Sequence, residues 1–344
     1  GLGDVYKRQV GSLGGERCRE YPSGALKPIG LLQEYGENNQ AEFGLMTGSF
    51  SRNTSGGVLR KNASSFRGEV NYLTNGTFTR ASGIVTNLDA LKVYGYRYSD
   101  STYAAADNGP AGTSPNGFCA FQTIGLVDDQ CASWGNPIGE MFIETLRYLR
   151  GGTLTPASAY GSNSDPKGAA MGLTVATWVD PFTRGDATDN VFGPPACRPI
   201  NTVNFNASVI SYDGDTTAPF SDLGAASSLA TYINQVGTGE GIPGTSRFIG
   251  NTPTNQNAAC TAKSLTNLSD AVGLCPAAPA YRGTYTLAGA AYWANTNPIR
   301  AVPSTVTGTA ADRAFRVRTY GVALAPGVPR ITVRTSTGAQ AVIQ

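Results

Sequence analysis

The stretch from Asn136 to Gly151 constrains the fold of this chain more than any other. Asn136 suits a helix N-cap, Pro137 suits the first turn, and Gly151 stands just past the end. Between them Ile138, Met141, Phe142, Thr145, Leu146 and Leu149 recur at helical spacing and define one face. Such a stripe must be buried, and its simplest cover is a β-sheet. Glu144 and Arg147, three apart, are expected to pair on the opposite, polar face.

Two further segments read the same way. Ser221–Val236 has Ser221 as a candidate cap and a stripe of Leu223, Ala226, Leu229, Ala230, Ile233 and Val236. Thr284–Ala294 carries Ala288, Gly289 and Ala291, small enough for its backbone to approach a sheet closely. A short helix is expected within Leu26–Tyr35, with Pro28 near its first turn and Gly36 after its end. Strands are expected at Ala41–Thr47, Pro199–Phe205 and Phe315–Leu324, gathered into one sheet under the three helices. Gly56–Leu59 to Val70–Leu73 reads as a hairpin-like excursion with Asn75-Gly76 as a turn signal. Ile84–Tyr98 is ambiguous between strand and helix, while Asp100–Asp129 and Thr153–Pro195 are loop-rich. Helices alternating with strands, separated by long insertions, predict an α/β protein with an open sheet rather than an all-β sandwich.

Composition narrows the function. Only 15% of the 344 residues are charged, well below the usual quarter, and 43 are glycine, a mixture that favours long polar loops around a core. The net charge of +2 comes from scattered Lys and Arg, so nucleic acid is not an expected partner. There is no histidine, which removes the Ser-His-Asp and Cys-His nucleophile arrangements and the paired-His zinc motifs. No run of eighteen apolar residues occurs, so no transmembrane segment is expected. The first nine residues, Gly1 to Gln9, resemble a translated adapter scar and are set aside, with truncation upstream expected.

Six cysteines are present, none in a C-x-x-C pair. Cys119 and Cys131 bracket one loop, and Cys260 and Cys275 another; both pairs are expected to be disulfides formed in an oxidising compartment. Cys18 and Cys197 are left without assured partners.

A series of ordered segments carries a resemblance. It begins with Cys18-Arg19-Glu20-Tyr21-Pro22-Ser23-Gly24, Lys27-Pro28-Ile29-Gly30-Leu31-Leu32 and Phe43-Gly44-Leu45-Met46-Thr47-Gly48-Ser49. Trp134-Gly135-Asn136-Pro137-Ile138-Gly139-Glu140, Ser211-Tyr212-Asp213-Gly214-Asp215 and Gly273-Leu274-Cys275-Pro276 follow. Ala290-Ala291-Tyr292-Trp293-Ala294 and Thr319-Tyr320-Gly321-Val322-Ala323-Leu324 complete it. Together they resemble the PilC/PilY-type tip-associated adhesins of bacterial type IV pili. The resemblance implies a role in pilus biogenesis and tip-mediated adhesion, extracellular at the cell surface or in the periplasm or outer membrane. Its implied partners are minor pilus subunits and a host or abiotic surface. It also implies an open von Willebrand A-like, Rossmann-type sheet with helices on both faces. Residues 10–344 would form this region, with insertions at about 51–130 and 152–198 and without the family's β-propeller.

Candidate chemistry is sparse. A von Willebrand A-type site for Mg²⁺ or Ca²⁺ needs a D-x-S-x-S loop, which is absent here, and Asn206 and Ala207 stand near the position of a later Asp ligand. No cofactor is therefore expected in this piece, with Ca²⁺ or Mg²⁺ left to a full-length protein. Asp213, Asp215 and Asp222 cluster in sequence and are candidate Ca²⁺ ligands, with polar turn residues as the competing reading. Tyr94, Tyr96 and Tyr98 would share a face if they lay on one strand, making a binding platform or a packing surface. The chain is thus read as acting by binding, not catalysis. The alternatives are a secreted glycosidase using Asp180 with Glu140 or Asp213 with Asp215, and a secreted carbohydrate-binding or structural module with aromatics lining an exposed groove.

Overall fold

Short strands and helices follow one another along the chain, punctuated by glycine and asparagine turns. The computed structural model describes residues 17–97, 99–103, 128–129, 131–182, 195–206, 210–275, 281–324, 331–334 and 340–343. The first part holds β1 (Cys18–Glu20), β2 (Leu26–Pro28), α1 (Leu31–Gly36), β3 (Phe43–Thr47), β4 (Val58–Ser64), α2 (Ile84–Ala90), β5 (Tyr96–Arg97) and β6 (Thr102–Tyr103). The middle holds α3 (Ile138–Arg150), α4 (Pro166–Ala170), β7 (Ile200–Asn206), α5 (Leu229–Gly239), β8 (Thr245–Asn251), β9 (Thr261–Leu265) and β10 (Val272–Leu274). The last part holds α6 (Thr286–Thr296), α7 (Thr309–Arg313), β11 (Val317–Ala323), β12 (Ile331–Arg334) and β13 (Gln340–Ile343).

The chain is a mixed α/β protein made of small sheets. Among the described residues β1–β2, β3–β4, β5–β6 and β12–β13 are antiparallel pairs, and β10–β8–β9 is an antiparallel three-stranded sheet. β7 and β11 pair in parallel, with Ile200 opposite Val317 and Phe205 opposite Val322. The expected single sheet does not form from the three strands named above, because Phe43–Thr47 pairs with Val58–Ser64 instead of joining the parallel pair.

The main core lies between the parallel pair and three helices. Phe142, Ile143 and Leu146 of α3, Tyr232 and Ile233 of α5, and Trp293 and Ala294 of α6 meet Ile200 of β7 and Val317 of β11. The strands alternate: Ile200, Thr202 and Val317 point into this core, while Val203, Phe205, Tyr320 and Val322 point away.

Several expected elements shift for identifiable reasons. The segment after Leu26 opens as a strand, because Pro28 pairs with Cys18 in β2, and the helix begins only at Leu31. Ser221 belongs to a 3₁₀ turn closed by Gly224; the long helix starts later, where the Ser228 hydroxyl accepts the Thr231 N–H. Ala226 and Ala230 are accordingly exposed rather than part of a stripe. Gly289 makes the close approach expected of it, but toward α5 and not a sheet: a Cβ there would lie 2.4 Å from a side-chain carbon of Ile233 and 2.8 Å from its backbone nitrogen. Asn136 does not cap α3, since its side-chain amide donates to Asn206 at 2.7 Å and its backbone bridges to Ser211.

The largest correction concerns α3 itself. Its expected polar face is buried: Glu140, Glu144 and Arg147 are all less than 5% exposed, alongside Phe142, Ile143 and Leu146. The charged side of this helix faces other loops of the protein, not water.

Candidate functional site

Among the described residues, buried polar groups gather around α3 and the loop at 48–57, where Gly48 and the Gly56-Gly57 pair flank Ser, Thr and Asn side chains. Ser49, Asn53, Thr54 and Ser55 are buried. Asp165 anchors this loop from the start of α4: one carboxylate oxygen accepts the N–H groups of Phe50 and Ser51 at 3.0 Å and of Gly168 at 3.1 Å. Its other oxygen pairs with Arg60 at 2.5 Å, and both side chains are fully buried. Burial pushes the Asp165 carboxyl up, but the Arg60 guanidinium and the N–H donors outweigh it and hold the group below the usual range. Asp128 ties down the same loop, accepting from the Thr54 N–H and hydroxyl and from the Ser55 hydroxyl.

Two carboxylates meet at the N-terminus of α3. Asp213, on the loop after β7, accepts the Gly139 N–H at 3.0 Å and the Glu140 N–H at 3.3 Å with one oxygen, and the Thr284 hydroxyl at 3.0 Å with the other. It therefore performs the capping role that Asn136 does not, supplied from a distant segment. Glu140 accepts the Gly214 and Thr216 N–H groups at 3.1 and 2.9 Å on one oxygen and the Gly56 N–H at 3.1 Å on the other. Gly56 suits this contact because its φ is +60° and a Cβ would collide with Tyr160. Burial raises Glu140 from 4.5 to about 8, offset in part by those N–H donors, and burial raises Asp213 from 3.8 to about 6. One turn and more along the helix, Glu144 accepts the Ala157 N–H at 2.9 Å and pairs with Arg147 at 2.7 Å.

The three candidate Ca²⁺ ligands do not converge. Asp213 is buried in its capping role, Asp215 is exposed, and Asp222 pairs with Arg147 at 3.0 Å. Among the described residues no three acidic or cysteine groups are placed to hold a metal ion. The glycosidase pairs fare no better. Asp180 accepts the Gly152 N–H and pairs with Arg300, at the C-terminal end of α3, whereas Glu140 lies in its first turn. The ten helical rises from Glu140 to Arg150 span about 15 Å, beyond the widest inverting separation of about 9.5 Å. In the other pair, both oxygens of Asp213 already accept hydrogen bonds.

Of the tyrosines, Tyr98 lies outside the described residues. Tyr94 precedes β5 in a turn with Gly95 at φ +70°, so the alternation that would align Tyr94 with Tyr96 does not apply. Its ring instead packs on Phe50 at 6.1 Å and beneath the Lys167 ammonium at 5.4 Å. Among the described residues an open groove is lined by Arg19, Tyr21, Glu37, Arg67 and Tyr72. Tyr21 is buried, and desolvation, joined by its hydroxyl's hydrogen bond to Glu37, raises its pKa to about 12, while Arg67 covers Tyr72. The groove thus offers charges rather than a stacking surface.

Cys260 and Cys275 form a disulfide with Cα atoms 5.8 Å apart, joining the chain just before β9 to the chain just after β10. Cys131 is also disulfide-bonded, and its expected partner Cys119 lies outside the described residues. Cys18 and Cys197 are free and exposed.

Asp165 and Arg60 went unremarked in the sequence. The available signal was Asp165-Pro166, an N-cap followed by proline at the first helical position. What the geometry defines is a mixed α/β scaffold whose buried carboxylates lock loops in place. Comparison with known proteins then gives the family. A family profile described as PilY1 homolog, second domain, matches residues 43–294, and the chain belongs to that family. It is 33% identical over 335 residues to a type IV pilus biogenesis factor PilY1 homolog of Xylella fastidiosa strain Temecula1, covering 91% of this chain. The chain spans 21% of that relative's length. No solved structure matches it.

Proposed function

We propose that the chain is a binding domain of a type IV pilus biogenesis factor, acting without catalysis in pilus assembly and tip-associated adhesion at the cell surface or in the periplasm. The observation that carries this reading is the match over residues 43–294, joined to 33% identity with a named pilus biogenesis factor. The absence of histidine and the inward-turned, N–H-saturated carboxylates support binding over catalysis. Disulfide bonding supports an oxidising compartment. Among the described residues no helix is long and apolar enough to cross a membrane. Minor pilus subunits and a host or abiotic surface are the proposed partners. The parallel β7–β11 pair, with α3, α5 and α6 on one face, is read as part of a von Willebrand A-like sheet.

The test is genetic. Deleting the gene in its own bacterium should lower the number of surface pili at least ten-fold, and re-supplying the full-length protein should restore it. Unchanged pilus numbers would refute the biogenesis role. Restored pili that attach no better than a non-piliated strain would refute the adhesive part.

A further inference from the structure

We infer that the groove beside β1 is a binding site for a carboxylate group, held by the free edge of the Arg67 guanidinium. The groove has a volume of about 410 Å³, within the range of small-ligand sites. Its buried acid is fully engaged inside the protein. Glu37, just past α1, is 3% exposed; one of its carboxylate oxygens pairs with Arg19 and the other accepts the Tyr21 hydroxyl at 2.7 Å.

Arg67 is positioned there without being neutralised. Its Nε donates to the Glu37 backbone carbonyl at 2.7 Å, and the face of its guanidinium lies 5.4 Å from the centroid of the Tyr72 ring. The residue is exposed, and among the described residues neither of its terminal nitrogens has a partner. A planar guanidinium fixed at one edge and one face presents its remaining N–H groups as a fork that matches a carboxylate. Holding the side chain in advance also removes ordering cost from the binding step.

A second cation points the same way. Lys27 stands directly opposite Arg19 in the β1–β2 ladder, so the two share one side of the hairpin. Like charges in that relation destabilise an antiparallel pair, and an anion beside them relieves the repulsion. Arg19 has Glu37, whereas half-buried Lys27 has no acidic partner among the described residues. The charges select the ligand. Arg19 and Glu37 cancel, and the exposed Glu20 of the groove lining offsets one of Arg67 and Lys27, which leaves a single positive charge. That suits a carboxylate monoanion better than a phosphate group, whose charge at neutral pH is about −1.5 to −2. The inference uses the groove alone and does not depend on the role in pilus assembly or adhesion proposed above.

Arginine labelling with phenylglyoxal in the full-length protein, read residue by residue by mass spectrometry, tests it. The probes are sodium propionate, for a free acid, and the peptide acetyl-Leu-Glu-Leu-amide, for an acidic side chain. Propionamide and acetyl-Leu-Gln-Leu-amide are their uncharged counterparts, used at equal ionic strength. At least one carboxylate should slow labelling of Arg67 about three-fold or more, with exposed Arg247 unchanged and the amides without effect. Slowing by propionate identifies free acids as sufficient, and slowing by the peptide alone identifies an acidic protein segment. Tyr72→Ala removes the ring under the guanidinium and should abolish this protection while leaving Arg67 open to the reagent. No slowing, equal slowing by the amides or at Arg247, stronger slowing by inorganic phosphate, or protection that survives Tyr72→Ala would each overturn the inference. Arg67 labelling about ten-fold slower than Arg247 before any probe is added would overturn it too, because the protein itself would then fill the groove.

Discussion

Replacing Glu144 tests whether the charged side of α3 is interior. The carboxylate is 1% exposed and holds two partners, the Ala157 N–H at 2.9 Å and the Arg147 guanidinium at 2.7 Å. Glu144→Ala leaves that N–H without its acceptor, which costs about 1–3 kcal/mol in a buried setting. It also strips a buried guanidinium of one carboxylate, and breaking a buried pair from one side costs about 3–5 kcal/mol in total. Asp222 still reaches Arg147 at 3.0 Å, but its side chain is 41% exposed and its attraction is screened. The two costs overlap, so the expected loss is about 3–4 kcal/mol, a large share of the stability of an ordinary domain. Glu144→Gln keeps an acceptor for Ala157 and removes only the charge, so it should lose less. The double replacement Glu144→Leu with Arg147→Met removes both charges and should also be milder than Glu144→Ala. Urea unfolding followed by tryptophan fluorescence reads all three, helped by Trp178, which stacks edge-on against Tyr148 and lies 5.8 Å from Arg147. If Glu144→Ala unfolds within about 0.5 kcal/mol of the parent, as a surface substitution would, the buried network is not formed in solution.

Other substitutions probe the same core from different sides. Leu146→Asp places a charge where a fully buried leucine packs and should cost several kcal/mol, whereas Leu146→Ala should cost about 2–5 kcal/mol; a parent-like urea midpoint for either would contradict the placement of α3. Gly289→Ala should lose about 1–3 kcal/mol by pushing α6 off Ile233, and a neutral or stabilising result would show that the two helices are not in contact. The raised Glu140 carboxyl sets a pH dependence: the folded state keeps a proton that the unfolded chain has lost between pH 4.5 and about 8, so this contribution is complete below pH 4.5 and fades as pH rises. Glu140 should contribute a fall of up to about 1.4 kcal/mol per pH unit across that window, with Asp213 adding its own fall below about pH 6, so Glu140→Gln should flatten the slope chiefly between pH 6 and 8; equal slopes for parent and variant in urea unfolding over pH 6 to 8 would refute the shift.

How much of this was legible depended on whether the signal was local. The end of α3 at Gly151, the turn at Asn75-Gly76 and the apolar spacing of Phe142 and Leu146 are local, and residues within a few positions of each suffice to read them. The helix start was misassigned because its cap comes from Asp213, 74 residues away from Gly139, and no pattern near Asn136 records that. The role of Glu144 was hidden for the same reason. An i, i+3 pair reads as a solvated face unless one knows that the Ala157 segment folds over it.

The sequence cluster of Asp213, Asp215 and Asp222 carries a related ambiguity. Acidic residues in a glycine-containing loop can gather around a cation or around backbone N–H groups, and composition does not separate the two. In this chain the donors are the N–H groups of α3 and of the loop at 48–57, already aimed at Asp213, Glu140 and Asp165. A carboxylate that accepts two or three such donors has little acceptor capacity left for an ion. The same arrangement explains why a chain with only 15% charged residues buries so many of them. Long Ser-, Asn- and Gly-rich loops bring backbone polar groups inside, where each must find a partner. A buried carboxylate can satisfy several at once. The charges of α3 are therefore a structural requirement of the loops it carries, while the apolar residues left exposed on β7 and β11 satisfy no requirement within the described residues.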